Sequence, residues 1–292
     1  MDQLALVALA GFLASMVDGA LGMGFGPTSA SILLGTGLSP AAVSTTVNLA
    51  KVATGVAGGV AHWRFGNIDR RLVLKLAIPG SLGALVGVTV LSRVEGAKLK
   101  PYLAVLLLIV AVRMLVRFSR PLLARPVDAE RDPGAPRFDE RGTTVVAATG
   151  GVTNGLVGAW GPVVTPFLLH RGLPPRFAIG SVNTAEVAVA VVASGSLLAS
   201  LGGEGVDFGV VAAMLTGGVV AAPIAAWVIR FLPARGLGVA VSGLLMVTNF
   251  RELASWAEIG SARWIAYLGA IVACGYAAAR PRLVGQVLPE PA

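Results

Sequence analysis

The chain has 292 residues, of which 55% are apolar and only 13% are charged. Soluble domains carry about 25% charged residues, so this composition excludes an ordinary soluble protein and predicts a lipid bilayer as the main partner. The net charge of +8 would suit a nucleic-acid-binding protein, but Lys and Arg lie in short clusters between apolar runs. That pattern is typical of the loops that set membrane topology, so no nucleic acid is expected.

The first apolar region, 3–37, is too long for a single membrane crossing. As one straight helix it would span roughly 52 Å, against a hydrocarbon core of about 30 Å. It also contains four glycines that precede a proline: Gly19, Gly22, Gly24, Gly26 and Pro27. Glycine weakens a helix and proline removes a backbone donor, so we predict a break over 18–27 and a restart at Pro27. Asp18 lies at this break, where it would cap the restarted helix or, alternatively, bind a cation.

The rest of the chain alternates apolar runs with short polar loops. Runs of membrane-spanning length follow at 41–62, 72–92, 100–117, 175–200, 208–231, 236–250 and 264–280. A second differently built apolar region covers 143–172, and 118–142 has four prolines and dense mixed charge, as in an exposed linker. We therefore divide the chain into a first membrane repeat (1–117), a polar linker (118–142), a second repeat (143–250) and an additional C-terminal segment with its tail (251–292).

The two halves repeat each other. A shift of 135 residues places Gly26-Pro27 on Gly161-Pro162 and Val47-Asn48 on Val182-Asn183, with ten identities in the twenty-five positions from Gly26 to Ala50. The alternative is coincidence between segments rich in small residues. We predict an all-α polytopic membrane protein of two homologous, inverted repeats, each with a broken or re-entrant first segment and three transmembrane helices, followed by one extra C-terminal helix. The sequence leaves room for a homodimer.

Each predicted break suggests a binding site. The second break, over 153–162, carries Asn154, Gly155, Gly158 and Trp160-Gly161-Pro162. Backbone groups freed at membrane depth persist only where protein covers them or where they line a cavity. The N–H groups of a restarted helix favour an anion, whereas the alternative is a packing break that lets helices approach closely. Two equivalent breaks favour the substrate site.

Loop charges favour a re-entrant form of the broken segments. If 143–172 crossed the membrane once, the acidic loop around Glu204 and Asp207 would be cytoplasmic, and Arg171 and Arg176 would lie outside. A re-entrant hairpin reverses both placements and fits the positive-inside rule better, with Lys98 and Lys100 as exceptions on the outside. Applied to both copies, the hairpin places the N-terminus outside and makes the repeats inverted.

Polar residues inside the apolar runs mark the candidate site. Asn48 and Lys51 share one helix face, and their counterparts after the 135-residue shift are Asn183 and Glu186. A charge at the bilayer centre costs at least about 2.5–3.5 kcal/mol, so these groups should face a cavity or each other. Either Lys51 attracts an anionic substrate while Glu186 binds a coupling proton, or the two form an ion pair that holds the repeats together. Trp160 would line the site or wedge the break.

Sequence signals for an enzyme are absent. The chain has no zinc-protease or phosphate-loop motif, two histidines and one cysteine, so neither a cofactor nor a metal site is expected. The glycines of the first break follow a membrane helix rather than a strand, which argues against a nucleotide loop.

Four segments carry a resemblance to the TauE/SafE sulfite exporter family of membrane permeases. They are VDGALGMGFGPTS (17–29), VNLAKVATGVAGGVAHWRFGNID (47–69), GAWGPVVTP (158–166) and GSVNTAEV (180–187). The resemblance implies a secondary carrier of sulfite, organosulfonates or related sulfur oxyanions. It also implies that the substrate contacts Gly24, Phe25, Gly26, Asn48, Trp160, Gly161 and Asn183.

Together these features predict alternating-access transport of a small anion across the inner membrane. The proton gradient or the anion's own gradient would drive it, with Glu186 and Asp18 as the candidates for coupling. The alternatives from other classes are a membrane-embedded accessory protein without a transport cycle and an anion channel.

Overall fold

A computed structural model describes residues 3–21, 23–119, 138–201, 207–228, 234–260 and 263–279. All regular structure in these ranges is α-helical, which confirms the predicted all-α class. The helices are α1 (Gln3–Leu21), α2 (Phe25–Gly35), α3 (Pro40–Arg64), α4 (Arg70–Arg93), α5 (Gly96–Ser119), α6 (Thr143–Val157), α7 (Gly161–His170), α8 (Pro175–Leu201), α9 (Phe208–Val228), α10 (Ala234–Trp256) and α11 (Arg263–Ala279). Most of the predicted linker, 120–137, lies outside the described residues.

Four of the described helices are long and apolar enough to cross a membrane: Arg70–Arg93, Gly96–Ser119, Pro175–Ser200 and Gly236–Trp256. Three shorter apolar stretches cover Gln3–Asp18, Phe208–Ala221 and Ala266–Ala279. The 25-residue helix α3, which contains the predicted run 41–62, falls in neither group. Polar residues such as Thr46, Asn48 and Lys51 make α3 less apolar than the other long helices. These three side chains are buried in the protein rather than turned toward lipid.

Both predicted breaks are present. Helix α1 ends at Leu21 and α2 begins at Phe25, two residues before the predicted restart, so Pro27 falls in the first turn of α2. Helix α6 ends at Val157 and α7 begins at Gly161, with Pro162 in its first turn. Gly24 at φ 128° and Gly158 at φ 70° make the two bends, since side chains other than glycine rarely adopt such angles.

The second broken segment folds as a hairpin. Asp139, just before α6, forms an ion pair with Arg171, just after α7, and the backbone N–H of Asp139 donates to the Arg171 carbonyl oxygen at 3.3 Å. The backbone N–H of Arg141 lowers the pKa of the Asp139 carboxyl, and the Arg171 guanidinium lowers it further. The segment therefore enters and leaves at one end of the protein, as a re-entrant segment does. The membrane side of that end stays a prediction.

The packing of helices between the two halves is symmetric. Helix α4 packs on α6 and α9 packs on α1, while α3 packs on α8 and α5 on α10. The α3–α8 and α5–α10 contacts each join corresponding helices, and the α4–α6 and α1–α9 contacts are equivalent to each other in the repeat, as expected for a pseudo-two-fold axis. The inverted orientation and the domain boundaries remain predictions.

Close packing of α4 on α6 leads to a stability prediction. A Cβ added at Gly151 on α6 would overlap the carbonyl oxygen of Gly80 on α4. We expect Gly151→Ala to cost about 1–3 kcal/mol, because neither backbone can yield locally. Thermal unfolding in detergent measures the effect. The matched control is Gly195→Ala on α8, where an added Cβ meets nothing within 4 Å, and equal melting temperatures for the two variants would contradict the prediction.

Candidate functional site

The two breaks lie against each other at the centre of the protein. A Cβ added at Gly26, in the first turn of α2, would overlap the carbonyl oxygen of Gly158 in the second break. A Cβ added at Gly161, in the first turn of α7, would lie 3.2 Å from the Cβ of Met23 in the first break. Each restarted helix therefore begins against the break of the other half. This places a candidate site at the interface between the halves, where transporters built from repeats bind their substrates.

A small cavity of about 100 Å³ opens at this meeting point. The predicted site residues that border it are Asp18, Gly24, Phe25, Gly26, Lys51, Gly161, Asn183 and Glu186. The sequence prediction missed other lining residues, among them Thr54, Gly55 and Gly58. Helical spacing could have found Gly55 and Gly58, because positions four and seven residues after Lys51 lie on its face of α3.

Lys51 is the central cation of the site. Its side chain is 7% exposed and forms an ion pair with Glu186, the residue at the equivalent position of the other half. Its ammonium also donates to the Gly158 carbonyl oxygen at 2.5 Å and to Asn154 Oδ1 at 3.3 Å. These three acceptors match the three N–H donors of a lysine. Lys51 thus joins α3 of the first half to both the break and α8 of the second half.

Charges around the cavity do not balance. The ammonium of Lys51 faces two carboxylates, Asp18 and Glu186, and none of the other described lining residues carries a charge. With all three groups ionised, the cavity has one net negative charge, which repels an anion. Asp18 also caps the restarted helix, as predicted, because its Oδ1 accepts from the backbone N–H of Phe25 at 3.3 Å.

The repeat-equivalent residues Asn48 and Asn183 have different surroundings. Asn48 is fully buried outside the cavity lining. Its amide donates to the Ser44 carbonyl oxygen at 2.9 Å, and its Oδ1 accepts from Asn154 Nδ2 at 2.7 Å. Asn183 is half-buried and borders the cavity, and its side chain makes no hydrogen bond to another described residue. Of these two asparagines, Asn183 is therefore the one that is free to bind a molecule in the cavity in this conformation.

Trp160 also lies outside the cavity lining. It is fully buried, and its Nε1 donates to the Val182 carbonyl oxygen at 3.1 Å. A Cβ added at Gly80 would meet the Trp160 ring at 2.7 Å, so the ring fills the space between α4 and the second break. Of the two roles considered for Trp160, this position is that of a wedge.

Asn154 connects Lys51 to Asn48, which gives a second stability prediction. It is fully buried, accepts from Lys51 and donates to Asn48. We expect Asn154→Leu to cost about 1–3 kcal/mol, because it leaves buried polar groups without partners. The matched control is Thr149→Val, an exposed position on the same helix. Melting temperatures in detergent compare the two variants, and an unchanged melting temperature for Asn154→Leu would contradict the prediction.

The fold and this site define a class: a multi-pass α-helical membrane protein with a small, charged cavity where two broken helices meet. The profile described as "Sulfite exporter TauE/SafE" matches residues 7–251. The chain is 41% identical over 258 residues to "Probable membrane transporter protein YtnM" of Bacillus subtilis (strain 168). The matched region covers 87% of this chain and 83% of that protein. No solved structure matches the chain significantly. The chain belongs to the TauE/SafE sulfite exporter family, and its activity is membrane transport.

Proposed function

We propose that the protein is a secondary transporter of a small sulfur oxyanion, sulfite or a short organosulfonate, and not an enzyme. The observation that carries this proposal is the cavity itself, which joins a buried lysine to the starts of two helices. The first N–H groups of a helix have no acceptor within it, and they carry partial positive charge. Gly26 and Gly161, each in the first turn of its helix, both line the cavity.

The size of the cavity limits the substrate. Its volume is about 100 Å³. An anion with few heavy atoms fits this space, whereas ordinary ligand pockets of roughly 300–1,000 Å³ take larger molecules. The free amide of Asn183 would donate to such an anion.

The ion pair suggests how protons couple to transport. Lys51 has all its donors occupied, so an arriving anion must replace Glu186, Gly158 or Asn154 as its acceptor. A proton on Glu186 removes the competing charge and frees Lys51 for the anion. The same step breaks the ion pair between α3 and α8 and allows the halves to move relative to each other. Alternating access then follows from a charge exchange at the point where the halves meet.

An anion-binding screen tests this proposal. Melting temperatures of purified protein are measured against sulfite, methanesulfonate, sulfate, phosphate and acetate. A bound anion stabilises the fold by about 2.7 kcal/mol at 100 times its Kd. We expect concentration-dependent stabilisation by a sulfur oxyanion, and none in the neutral pair Lys51→Met/Glu186→Gln.

The matched control for the screen is Lys75→Met/Glu140→Gln, which neutralises a more exposed ion pair at one end of the protein. This control should respond to anions as the wild type does. Either no stabilisation by any sulfur oxyanion, or equal stabilisation of the neutral central pair, would contradict the proposal.

An inner-membrane location and a homodimer also stay predictions.

A further inference from the structure

A second, larger pocket lies away from the central cavity. It has a volume of about 520 Å³ and lies where three segments meet: the start of α3, the start of α5 and the end of α10. The starts of α3 and α5 are adjacent, since a Cβ added at Gly96 would lie 3.2 Å from Pro40 Cδ. No residue of this pocket borders the central cavity.

Two opposite charges, carried by different helices, line the pocket. Lys100, the fifth residue of α5, and Glu252, four residues before the end of α10, both border it. Both side chains are half-buried, and neither forms an ion pair with a described residue. Two opposite charges therefore share one pocket without neutralising each other.

Helix dipoles reinforce this separation. A helix start carries partial positive charge and a helix end carries partial negative charge, so a lysine is favoured at an end and a glutamate at a start. Lys100 and Glu252 have the reverse placement. The positive side of the pocket combines Lys100 with the start of α5, and the negative side combines Glu252 with the end of α10. A bound ligand with matching charges would relieve this unfavourable arrangement.

Trp256 adds an aromatic surface to the negative side. It is the last residue of α10, it borders the pocket, and it is 64% exposed. Its face can attract an ammonium group through the ring quadrupole, next to the carboxylate of Glu252. Aromatic and acidic groups together favour a cation on this side, as Lys100 favours an oxyanion on the other.

We propose that this pocket binds a small zwitterion, in which an ammonium group and an oxyanion are joined by a short link. The oxyanion binds at Lys100 and the start of α5, and the ammonium binds between Glu252 and Trp256. Free aminosulfonates and amino acids have this chemistry, and so does the headgroup of phosphatidylethanolamine. The site is separate from the proposed transport site and does not depend on it.

Binding of 2-aminoethanesulfonate, and of two smaller ions that each carry one of its charged groups, tests the proposal. The protein used is the neutral central pair Lys51→Met/Glu186→Gln, so that binding in the central cavity does not contribute. Calorimetry compares the zwitterion with ethanesulfonate and with ethylammonium. We expect the zwitterion to bind at least about fivefold more tightly than ethanesulfonate or ethylammonium. Lys100→Gln or Glu252→Gln should remove that difference in affinity. Lys98→Gln, which breaks an exposed ion pair near the pocket, is the matched control and should keep it.

Nanodiscs separate the two sources of the ligand. If the free zwitterion binds in detergent but loses affinity at least about fivefold in phosphatidylethanolamine nanodiscs relative to phosphatidylglycerol nanodiscs, the lipid headgroup occupies the same pocket. If its affinity is equal in both lipids, the ligand is the soluble zwitterion. Absence of zwitterion binding in detergent and in both nanodiscs, or equal binding of the zwitterion and one of the two smaller ions, would overturn the proposal.

Discussion

Replacement of Lys51 with methionine is expected to reduce sulfite flux in proteoliposomes at least about 100-fold. Among the described residues, Lys51 is the only cation that borders the central cavity, and its side chain is 7% exposed. Truncation of one partner of a buried charge pair in a binding site costs about 2–5 kcal/mol of binding free energy, and about 2.7 kcal/mol corresponds to 100-fold. The substitution also leaves Glu186 without its partner, which adds a second negative charge opposite the incoming anion.

A folding defect in this variant can be separated from a transport defect. The double variant Lys51→Met/Glu186→Gln has no unpaired charge at the ion pair, so it should recover stability without recovering flux. Lys75→Met/Glu140→Gln, in the more exposed pair, should keep wild-type flux. Flux in Lys51→Met equal to that of the wild type would show that the ammonium does not bind the anion.

Substitution of Glu186 with glutamine is expected to uncouple anion movement from the proton gradient. In the wild type, one proton per anion would support about tenfold accumulation for each pH unit across the membrane. The glutamine cannot exchange a proton, and it leaves Lys51 free for the anion. Accumulation should therefore no longer respond to an imposed pH gradient, while exchange of labelled for unlabelled anion without a gradient should persist.

Asp18 is the competing candidate for the coupling proton. Asp18→Asn keeps a side chain that can cap α2 but removes the charge from the cavity. We expect this variant to accumulate anion in response to the pH gradient as the wild type does. Loss of the response in Asp18→Asn, together with its retention in Glu186→Gln, would assign the coupling role to Asp18 instead.

Local sequence was sufficient to predict the breaks and the helices around them. Glycine and proline act on the backbone where they stand, so the bends at Gly24 and Gly158 could be placed from sequence within a few residues. The restart of α2 two residues early reflects the cap from Asp18, which bonds to Phe25 rather than farther along. The ion pair between Lys51 and Glu186 is one of the two arrangements that the sequence left open for these repeat-equivalent residues.

Asymmetry between the halves could not be read from the sequence. Asn48 and Asn183 align in the repeat, yet the facing residue Asn154 holds only Asn48 and leaves Asn183 free. Which residue faces a side chain depends on contacts between helices that are about a hundred positions apart in the chain. The larger pocket could not be predicted from the sequence for the same reason, because its charged residues belong to helices that only the fold brings together.

Counterflow of radiolabelled sulfite tests most directly whether this protein moves a small anion by alternating access. Proteoliposomes loaded with excess unlabelled sulfite are diluted into a trace of labelled sulfite, with no pH gradient or membrane potential. We predict transient accumulation of label above the external concentration in the wild type, and none in Lys51→Met/Glu186→Gln. Absence of label uptake in the wild type, as for an accessory protein, or uptake that never exceeds equilibration, as for a channel, would contradict this account.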